Sequence, residues 1–201
     1  MRNVAQQWGG GISWEGPSWK SGGLSRCVIA GNRAGSGGGI VLDAYSVTVP
    51  LTVRNCLVLG NTARSEGGGV STYVSGLHQL LTFDACTFAG NSAESGGGVS
   101  CLQGNFLFHN CIVWGNMAII GPQIFSDNPN SMPPFTDVDI YYCDLEGGAA
   151  GVHGHYGWGN GIFFREGNID SDPCFADPYS GDYHLKSQGG RWDANEGRWT
   201  R

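Results

Sequence analysis

The sequence predicts an all-β protein, a parallel β-solenoid of about six coils with a less regular C-terminal segment. A phrase of Cys, three mostly apolar residues, Gly and Asn recurs four times, beginning at Cys27, Cys56, Cys86 and Cys111. The copies follow one another at nearly even intervals, and self-similarity at a period of about 30 residues is typical of repeat architectures. Gly accounts for 35 of the 201 residues, and no long amphipathic helical pattern separates the short apolar runs.

The first three copies of this phrase run on into a glycine triplet, which allows a tight bend with positive φ before the next strand. The triplets occupy residues 37–39, 67–69 and 96–98. Another triplet, residues 9–11, follows Asn3 at a similar distance, so the chain enters the pattern in mid-repeat. The second half of each unit has strand character, in residues 47–53, 80–83 and 106–108.

The pattern loosens after Asn116, but the cysteine spacing persists. Residues 126–136 are rich in Pro, Asn and Ser and predict a loop, and residues 138–143 restore a strand. Cys143 and then Cys174 follow Cys111 at intervals close to those of the earlier copies. We expect residues 1–145 to form the coils, and residues 146–201 to form an irregular, Gly-rich and acidic segment that continues or caps them.

Units of about 30 residues without a helix signal are too short for β-α-β crossovers, so each strand should pair in parallel with its counterpart one coil later. Coils stacked at about 4.8 Å place equivalent residues above one another. The cysteines are expected to form an inward ladder of Cys27, Cys56, Cys86, Cys111, Cys143 and Cys174. A corner ladder, in which each side chain bonds the copies above and below it, is expected from Asn32, Asn61, Asn91 and Asn116.

Charge is unevenly distributed along the chain. The formal net charge is −6, of which residues 1–126 contribute +1 and residues 127–201 contribute −7. No basic patch is present, which argues against nucleic acid as a partner. No apolar run is long enough to span a bilayer, and residues 1–8 lack the apolar core of a signal peptide. We therefore expect neither a membrane span nor a signal peptide in this sequence.

The phrase Cys-x-x-x-Gly-Asn-x-Ala-x-x-Gly-Gly-Gly-Val/Ile resembles the right-handed parallel β-helix repeat of pectin-lyase-like proteins. Residues 168–185 are similar to the end of the β-helix in choice-of-anchor surface proteins of environmental bacteria. The resemblance covers nearly the whole chain. It implies a right-handed, single-stranded parallel β-helix and an extracellular or cell-surface location. The family's N-terminal cap and its further Cys-Ile-Asp-Ala-Gly-like stretch are absent, so we expect a fragment of a longer protein.

The cysteines, aspartates and histidines, which could form disulfides, metal sites or catalytic groups, instead favour a structural scaffold. The odd count of seven cysteines and their shared ladder position favour buried free thiols over disulfides, and no zinc spacing appears. We expect no cofactor; a calcium site is the alternative for the acidic stretch Asp170, Asp172, Asp177 and Asp182. The pair His153 and His155 is a weak signal for a metal or a general base.

Two function classes stay open. The first is a non-catalytic structural or adhesive module that presents loops to glycans or proteins. Trp14, Trp19, Tyr45 and Tyr73 would supply its sugar platforms if they lie on loops beside the solenoid; the alternative for these aromatic residues is packing against the coil wall. The second, implied by the resemblance, is a polysaccharide lyase or glycoside hydrolase module. Convergence of Arg54, or of an acidic pair, in one groove would favour the enzyme.

Two further expectations concern surfaces. Open coil edges at the ends of a solenoid predict end-to-end self-association. An ice-binding face would need a flat ladder of threonines, which Thr52 and Thr82 begin and Leu107 interrupts.

Overall fold

The computed structural model describes residues 3–16, 22–45, 50–75, 80–127, 136–154, 161–186, 191–193 and 198–200. The chain divides into two compact units, residues 1–171 and residues 172–201. The first unit is a parallel β-solenoid in which each turn adds one strand to each of three sheets. The all-β solenoid class predicted from the sequence is confirmed.

The three sheets are parallel throughout. The first contains Ile12–Gly16, Ile40–Tyr45, Val70–Ser75, Val99–Leu102, Ile124–Asp127 and Val152–Gly154. The second contains Gly23–Ser25, Leu51–Arg54, Leu80–Asp84, Gly104–His109, Thr136–Tyr141 and Gly161–Phe164. The third contains Val28–Ala30, Leu57–Leu59, Thr87–Ala89, Ile112–Trp114 and Asp144–Leu145.

The regular solenoid has about four turns, fewer than the six coils predicted. The five strands of the third sheet are separated by four complete turns of the chain. The additional strands of the first and second sheets belong to incomplete turns at the two ends.

Alternation along each strand fills the interior with one apolar column per inward position. In the second sheet, Val53, Phe83, Phe108 and Ile140 stack in register and are fully buried. The rings of Phe83 and Phe108 lie 4.8 Å apart, and Phe88 of the third sheet meets Phe83 edge-on at 5.3 Å. The aromatic residues therefore fill the centre of the solenoid.

Two kinds of corner turn the chain. Between the second and third sheets one residue takes the left-handed conformation, with φ of 51–55° at Arg26, Asn55, Ala85, Asn110 and Tyr142. Between the third and first sheets the chain passes through Gly-Asn and then the glycine triplet. A Cβ on Gly67, whose φ is 63°, would lie 2.2 Å from the Val70 carbonyl oxygen, so this position requires glycine.

The remaining elements are short. Arg33–Ala34 pairs with Thr62–Ala63 in the Asn-containing corner, and Gly148–Gly151 forms one 3-10 turn. In the second unit, Phe175–Asp177 pairs antiparallel with Asp182–Leu185, and Arg191–Asp193 pairs with Arg198–Thr200. Nothing in the described part of the chain is a helix with the length and apolarity needed to cross a bilayer.

Cys174 departs from the predicted inward ladder. It is exposed, and it precedes an antiparallel hairpin rather than a parallel strand. Its φ is 54°, and its backbone N–H donates to Asp172 Oδ1 at 2.8 Å. The regular interval between Cys143 and Cys174 therefore does not mark another turn.

Candidate functional site

The four asparagines of the corner form a continuous hydrogen-bonded column. The side-chain nitrogens of Asn32, Asn61 and Asn91 each donate to Oδ1 of the next asparagine at 3.0 Å. Their backbone N–H groups donate to the same Oδ1 atoms at 2.9 Å. Asn61, Asn91 and Asn116 use their second amide hydrogen on a carbonyl of the preceding turn, at 2.8–2.9 Å. Asn61 and Asn91 thus fill both donors and both acceptor positions of a buried amide.

Gln123 and Glu146 continue the column after Asn116. The Asn116 side chain donates to Gln123 Oε1 at 2.8 Å, and Gln123 Nε2 donates to Glu146 Oε2 at 2.9 Å. Gly115 N–H also donates to Glu146 Oε2, at 2.7 Å. A carboxylate therefore ends a run of amides, in the turn where Gly148 occupies the position of the next asparagine.

The cysteines form a second column, inside the solenoid. Cys56, Cys86, Cys111 and Cys143 are buried and Cys27 is half-buried, all as free thiols. Each Sγ contacts the carbonyl oxygen two residues earlier, at 3.2–3.4 Å. Burial raises the pKa of the Cys111 thiol, so this thiol stays protonated and packs as a small apolar group.

Asn168 follows Cys143 in the structure, at a position that sequence reasoning did not single out. Its Oδ1 accepts from the Cys143 N–H at 3.0 Å, and its Nδ2 donates to the Ile140 carbonyl at 2.8 Å. Cys111 makes the equivalent contact, from Sγ to the Phe83 carbonyl. A signal was present, because the interval from Cys143 to Asn168 equals the interval from Cys86 to Cys111.

The outer face of the first sheet carries a groove of about 530 Å³. Its floor consists of outward-pointing residues from adjacent strands. Glu15 pairs with Asp43, Asp43 with Tyr73, and Tyr73 with Leu102, so the four side chains form one row across the sheet. Val41 and Ser71 form a second, buried row beside it.

The corner that precedes the glycine triplets also contributes residues to the lining of the groove. Trp8 and Glu66 each stand directly before a triplet and line the groove. Trp8 is 55% exposed, although its ring is large and apolar. The corner thus adds an aromatic side chain and a carboxyl group to the groove that the acidic row of the sheet also lines. Sequence reasoning did not single out Trp8; its position before the first triplet was the available signal.

The groove is negatively charged. Glu15, Asp43 and Glu66 line it, and none of its described lining residues is basic. Ser13 Oγ donates to Glu15 Oε1 at 2.6 Å and orients that carboxylate on the outer face. Burial, and secondarily the charge of Asp127, raises the pKa of the Glu66 carboxyl. One acid of the three is thereby biased towards its protonated form.

The outer face of the second sheet carries Arg54, the candidate base, and the predicted threonine row. Arg54, Asp84 and His109 stand in one row, and His109 Nδ1 lies 3.2 Å from Asp84 Oδ1. Arg54 borders a depression of about 270 Å³ away from the groove acids. Thr52, Thr82 and Leu107 also share a row, so Leu107 interrupts the threonine ladder.

The remaining candidates do not come together. Among the residues that the structure describes, no group of three or more His, Cys, Asp or Glu side chains could hold a metal ion. Asp172, Asp177 and Asp182 accept backbone N–H groups within two or three residues of themselves. Trp14 packs against the core and His153 stacks on Phe125. Trp19, His155 and the side chain of Tyr45 lie outside the described residues.

A scan against protein-family models, a search of curated proteins and a search of solved structures each found no match to this chain. The groove and the columns are therefore interpreted from their own chemistry.

Proposed function

We propose that this chain is a non-catalytic β-solenoid module, structural or adhesive in role, that binds polysaccharide in the groove of the first sheet. The observation that carries the proposal is that an exposed Trp8 lines one depression together with Tyr73 and three carboxyl groups. An aromatic face stacks on the apolar face of a sugar ring, while carboxylates accept hydrogen bonds from its hydroxyl groups.

Charge narrows the class of glycan. Three carboxyl groups line the groove without a basic residue in its described lining, so an acidic polymer would meet like charge there. Neutral polysaccharides, or polymers that carry amino groups, are the complementary ligands.

We further propose that the chain belongs to the pectin-lyase-like superfamily, close to the choice-of-anchor β-helix surface proteins. We also propose that it acts outside the cell or on the cell surface. The support is the repeat phrase together with the parallel solenoid that it forms. An extended binding face on a rigid, repetitive scaffold suits a surface module.

The test is affinity electrophoresis in gels that contain a soluble neutral glucan, a galactomannan or polygalacturonate. We expect retardation by a neutral polymer, and we expect Trp8→Ala to weaken binding about tenfold because stacking contributes roughly 1–1.5 kcal/mol. Trp114→Ala is the matched control, since Trp114 lies in the third sheet and does not line the groove. Equal loss in both variants, or no retardation by any polymer, would overturn the proposal.

Glycoside hydrolysis is the second candidate, favoured by one observation. Glu66, with its raised pKa, lines the same groove as the paired Glu15 and Asp43. A protonated acid facing a carboxylate is the arrangement that hydrolysis of a glycosidic bond requires. A lyase has less support, because the described lining offers no basic residue to remove a proton.

Reducing-end release and unsaturated-uronide absorbance separate these outcomes. New reducing ends that disappear in Glu66→Gln, with binding retained, would establish a hydrolase. Unsaturated products would indicate a lyase, and retention without new ends supports the adhesive module. Glu94→Gln is the control, because Glu94 is exposed and does not line the groove.

A further inference from the structure

The row of side chains along the first sheet carries acidic groups on both sides of an apolar middle. Glu15 and Asp43 are register partners in adjacent turns, about one strand spacing or roughly 4.8 Å apart along the solenoid axis. Tyr73 and Leu102 follow in the next two turns. Asp127 is the register partner of Leu102 and ends the row with another carboxyl group. A linear ligand that lies along this row therefore passes acidic groups at intervals.

Glu66 adds a carboxyl group to the same groove from the neighbouring corner. Burial, and secondarily the charge of Asp127, raises the pKa of the Glu66 carboxyl. Asp127 is therefore within electrostatic reach of the groove, although Leu102 separates it from the other acids of the row. Like charges that share a site repel one another, and a cation between them removes that repulsion. The charge that complements this groove is positive.

Ser71 supplies an unused hydroxyl group to the groove. The residue lines the groove in the strand Val70–Ser75 and is 7% exposed. Across the part of the chain that the structure describes, the Ser71 hydroxyl has no hydrogen-bond partner. A nearly buried hydroxyl without a partner costs free energy, and a ligand group that bonds to it recovers that cost. A hydroxyl both donates and accepts, so it suits a sugar hydroxyl or an amino group.

Aromatic and apolar side chains distinguish this groove from a simple cation-binding surface. Trp8, Tyr73 and Leu102 line it together with the acids. An aromatic face packs against the apolar face of a sugar ring, which a flexible chain of charged side chains does not provide. An amino sugar combines such a ring face with hydroxyl groups and an ammonium group. A polymer of amino sugars matches the apolar, hydroxyl and acidic parts of the lining at once.

We propose that the groove of the first sheet binds a polysaccharide whose sugar units carry free amino groups, with ammonium groups bound by Asp43 and Glu66 and a polar group of the sugar bound by Ser71. The inference rests on the proposed glycan binding and makes its ligand more specific. Hydrogen bonds between an ammonium group and a carboxylate are about twice as strong as neutral ones, so an amino polymer gains affinity over a neutral polymer of the same shape.

Titration calorimetry with two matched oligosaccharides tests this preference. A β-1,4-linked glucosamine hexamer and its fully N-acetylated counterpart have the same rings and linkages, but only the first carries ammonium groups when its amines are protonated. We expect the glucosamine hexamer to bind at least about tenfold more tightly at low salt. The preference should shrink at high salt, because salt screens exposed charges.

Three variants locate the preference in the groove. Asp43→Asn should lower affinity for the glucosamine hexamer about tenfold and for the acetylated hexamer much less, because the amide keeps the shape and loses the charge. Ser71→Ala should weaken binding of both hexamers about fivefold. Glu94→Gln is the control, since it removes the same charge from an exposed position outside the groove and should change neither affinity. Thermal melts verify that each variant is folded.

Hexalysine separates an amino glycan from a cationic polypeptide. It carries ammonium groups without sugar rings and should bind more weakly than the glucosamine hexamer. Hexalysine that binds as tightly, equal affinity of the two hexamers, or a preference that survives Asp43→Asn would overturn this inference and leave glycan binding in place. Failure of both hexamers and of the neutral polymers to bind would overturn the proposed function as well.

Discussion

Each turn of the solenoid adds one strand to the first sheet and one to the second, yet their outer faces differ. The acidic row Glu15–Asp43 lines a depression of about 530 Å³ together with Trp8 and Glu66 of the neighbouring corner. In the row Arg54–Asp84–His109, Arg54 borders a smaller depression of about 270 Å³ that strand residues of the second sheet line, and the side chains of His109 and Asp84 are 40% and 32% exposed. The larger depression is therefore the one to which a corner contributes residues, and it is the site proposed above for glycan.

Loss of the asparagine column, at the corner between the third and first sheets, should have the strongest effect of the changes considered. Asn91→Ala removes a buried amide that makes two donor contacts and receives two more. We expect the free energy of unfolding to fall by about 3–4 kcal/mol, because partners on both sides lose their bonds. Urea denaturation measures this loss. Asn105→Ala, on the outer face of the second sheet, should change stability by no more than about 0.5 kcal/mol.

A matched pair of substitutions tests which face binds glycan. Leu102 lines the groove of the first sheet, and Leu107 holds a similar half-buried position on the second. Leu102→Lys should lower affinity for a neutral polysaccharide at least about tenfold, because the longer cation blocks the groove floor. Leu107→Lys should leave affinity unchanged. If titration calorimetry shows the same loss of affinity in both variants, the groove of the first sheet is not the binding face.

The two faces each contain one carboxyl whose pKa burial raises, Glu66 and Asp137. A raised pKa means that the folded state binds more protons than the unfolded state, so stability falls as pH rises from the unfolded pKa, about 4 for these acids, through the folded pKa. Glu66→Gln and Asp137→Asn should therefore reduce the stability lost across that interval. Thermal melts between about pH 4 and pH 7 check this; a parallel pH profile in wild type and variant would contradict it.

A weaker effect is expected at the corner after the second sheet. Ala85 holds φ at 51° although it has a Cβ. The left-handed conformation costs an alanine roughly 1–2 kcal/mol. Glycine avoids this cost, but it loses more conformational entropy on folding, which offsets part of the stabilisation. Ala85→Gly should stabilise the protein by about 0.5 kcal/mol, as thermal melts would measure. Ala89→Gly, in a buried strand, is the control and should destabilise it.

The two corners explain which parts of the fold can be predicted from the sequence. The Gly-Asn corner depends on identical side chains that bond one another, so Asn32, Asn61, Asn91 and Asn116 recur visibly. The opposite corner needs only a backbone conformation, which Arg, Asn, Ala and Tyr all adopt here. Its residues vary, and no pattern reveals it. Cys174 shows the converse, since a regular interval occurs there without an equivalent strand.

The groove was harder to predict than the scaffold. Glu15 and Asp43 become neighbours only when the register of the first sheet is known, because a full turn of the chain separates them in sequence. Trp8 and Glu66 reach the same groove through a corner whose path depends on the glycine triplets. The sequence shows each acidic residue, but only the stacking of successive turns brings their side chains into one groove.

Oxidative footprinting of the protein, with and without a bound neutral polysaccharide, would locate the glycan on one face of the solenoid. If the groove of the first sheet is the binding site, Trp8 and Tyr73 become protected when the polymer binds, while Tyr142 beside the second sheet keeps its reactivity. Protection of Tyr142 and His109, with Trp8 unchanged, would place the ligand on the other face and refute binding in the groove.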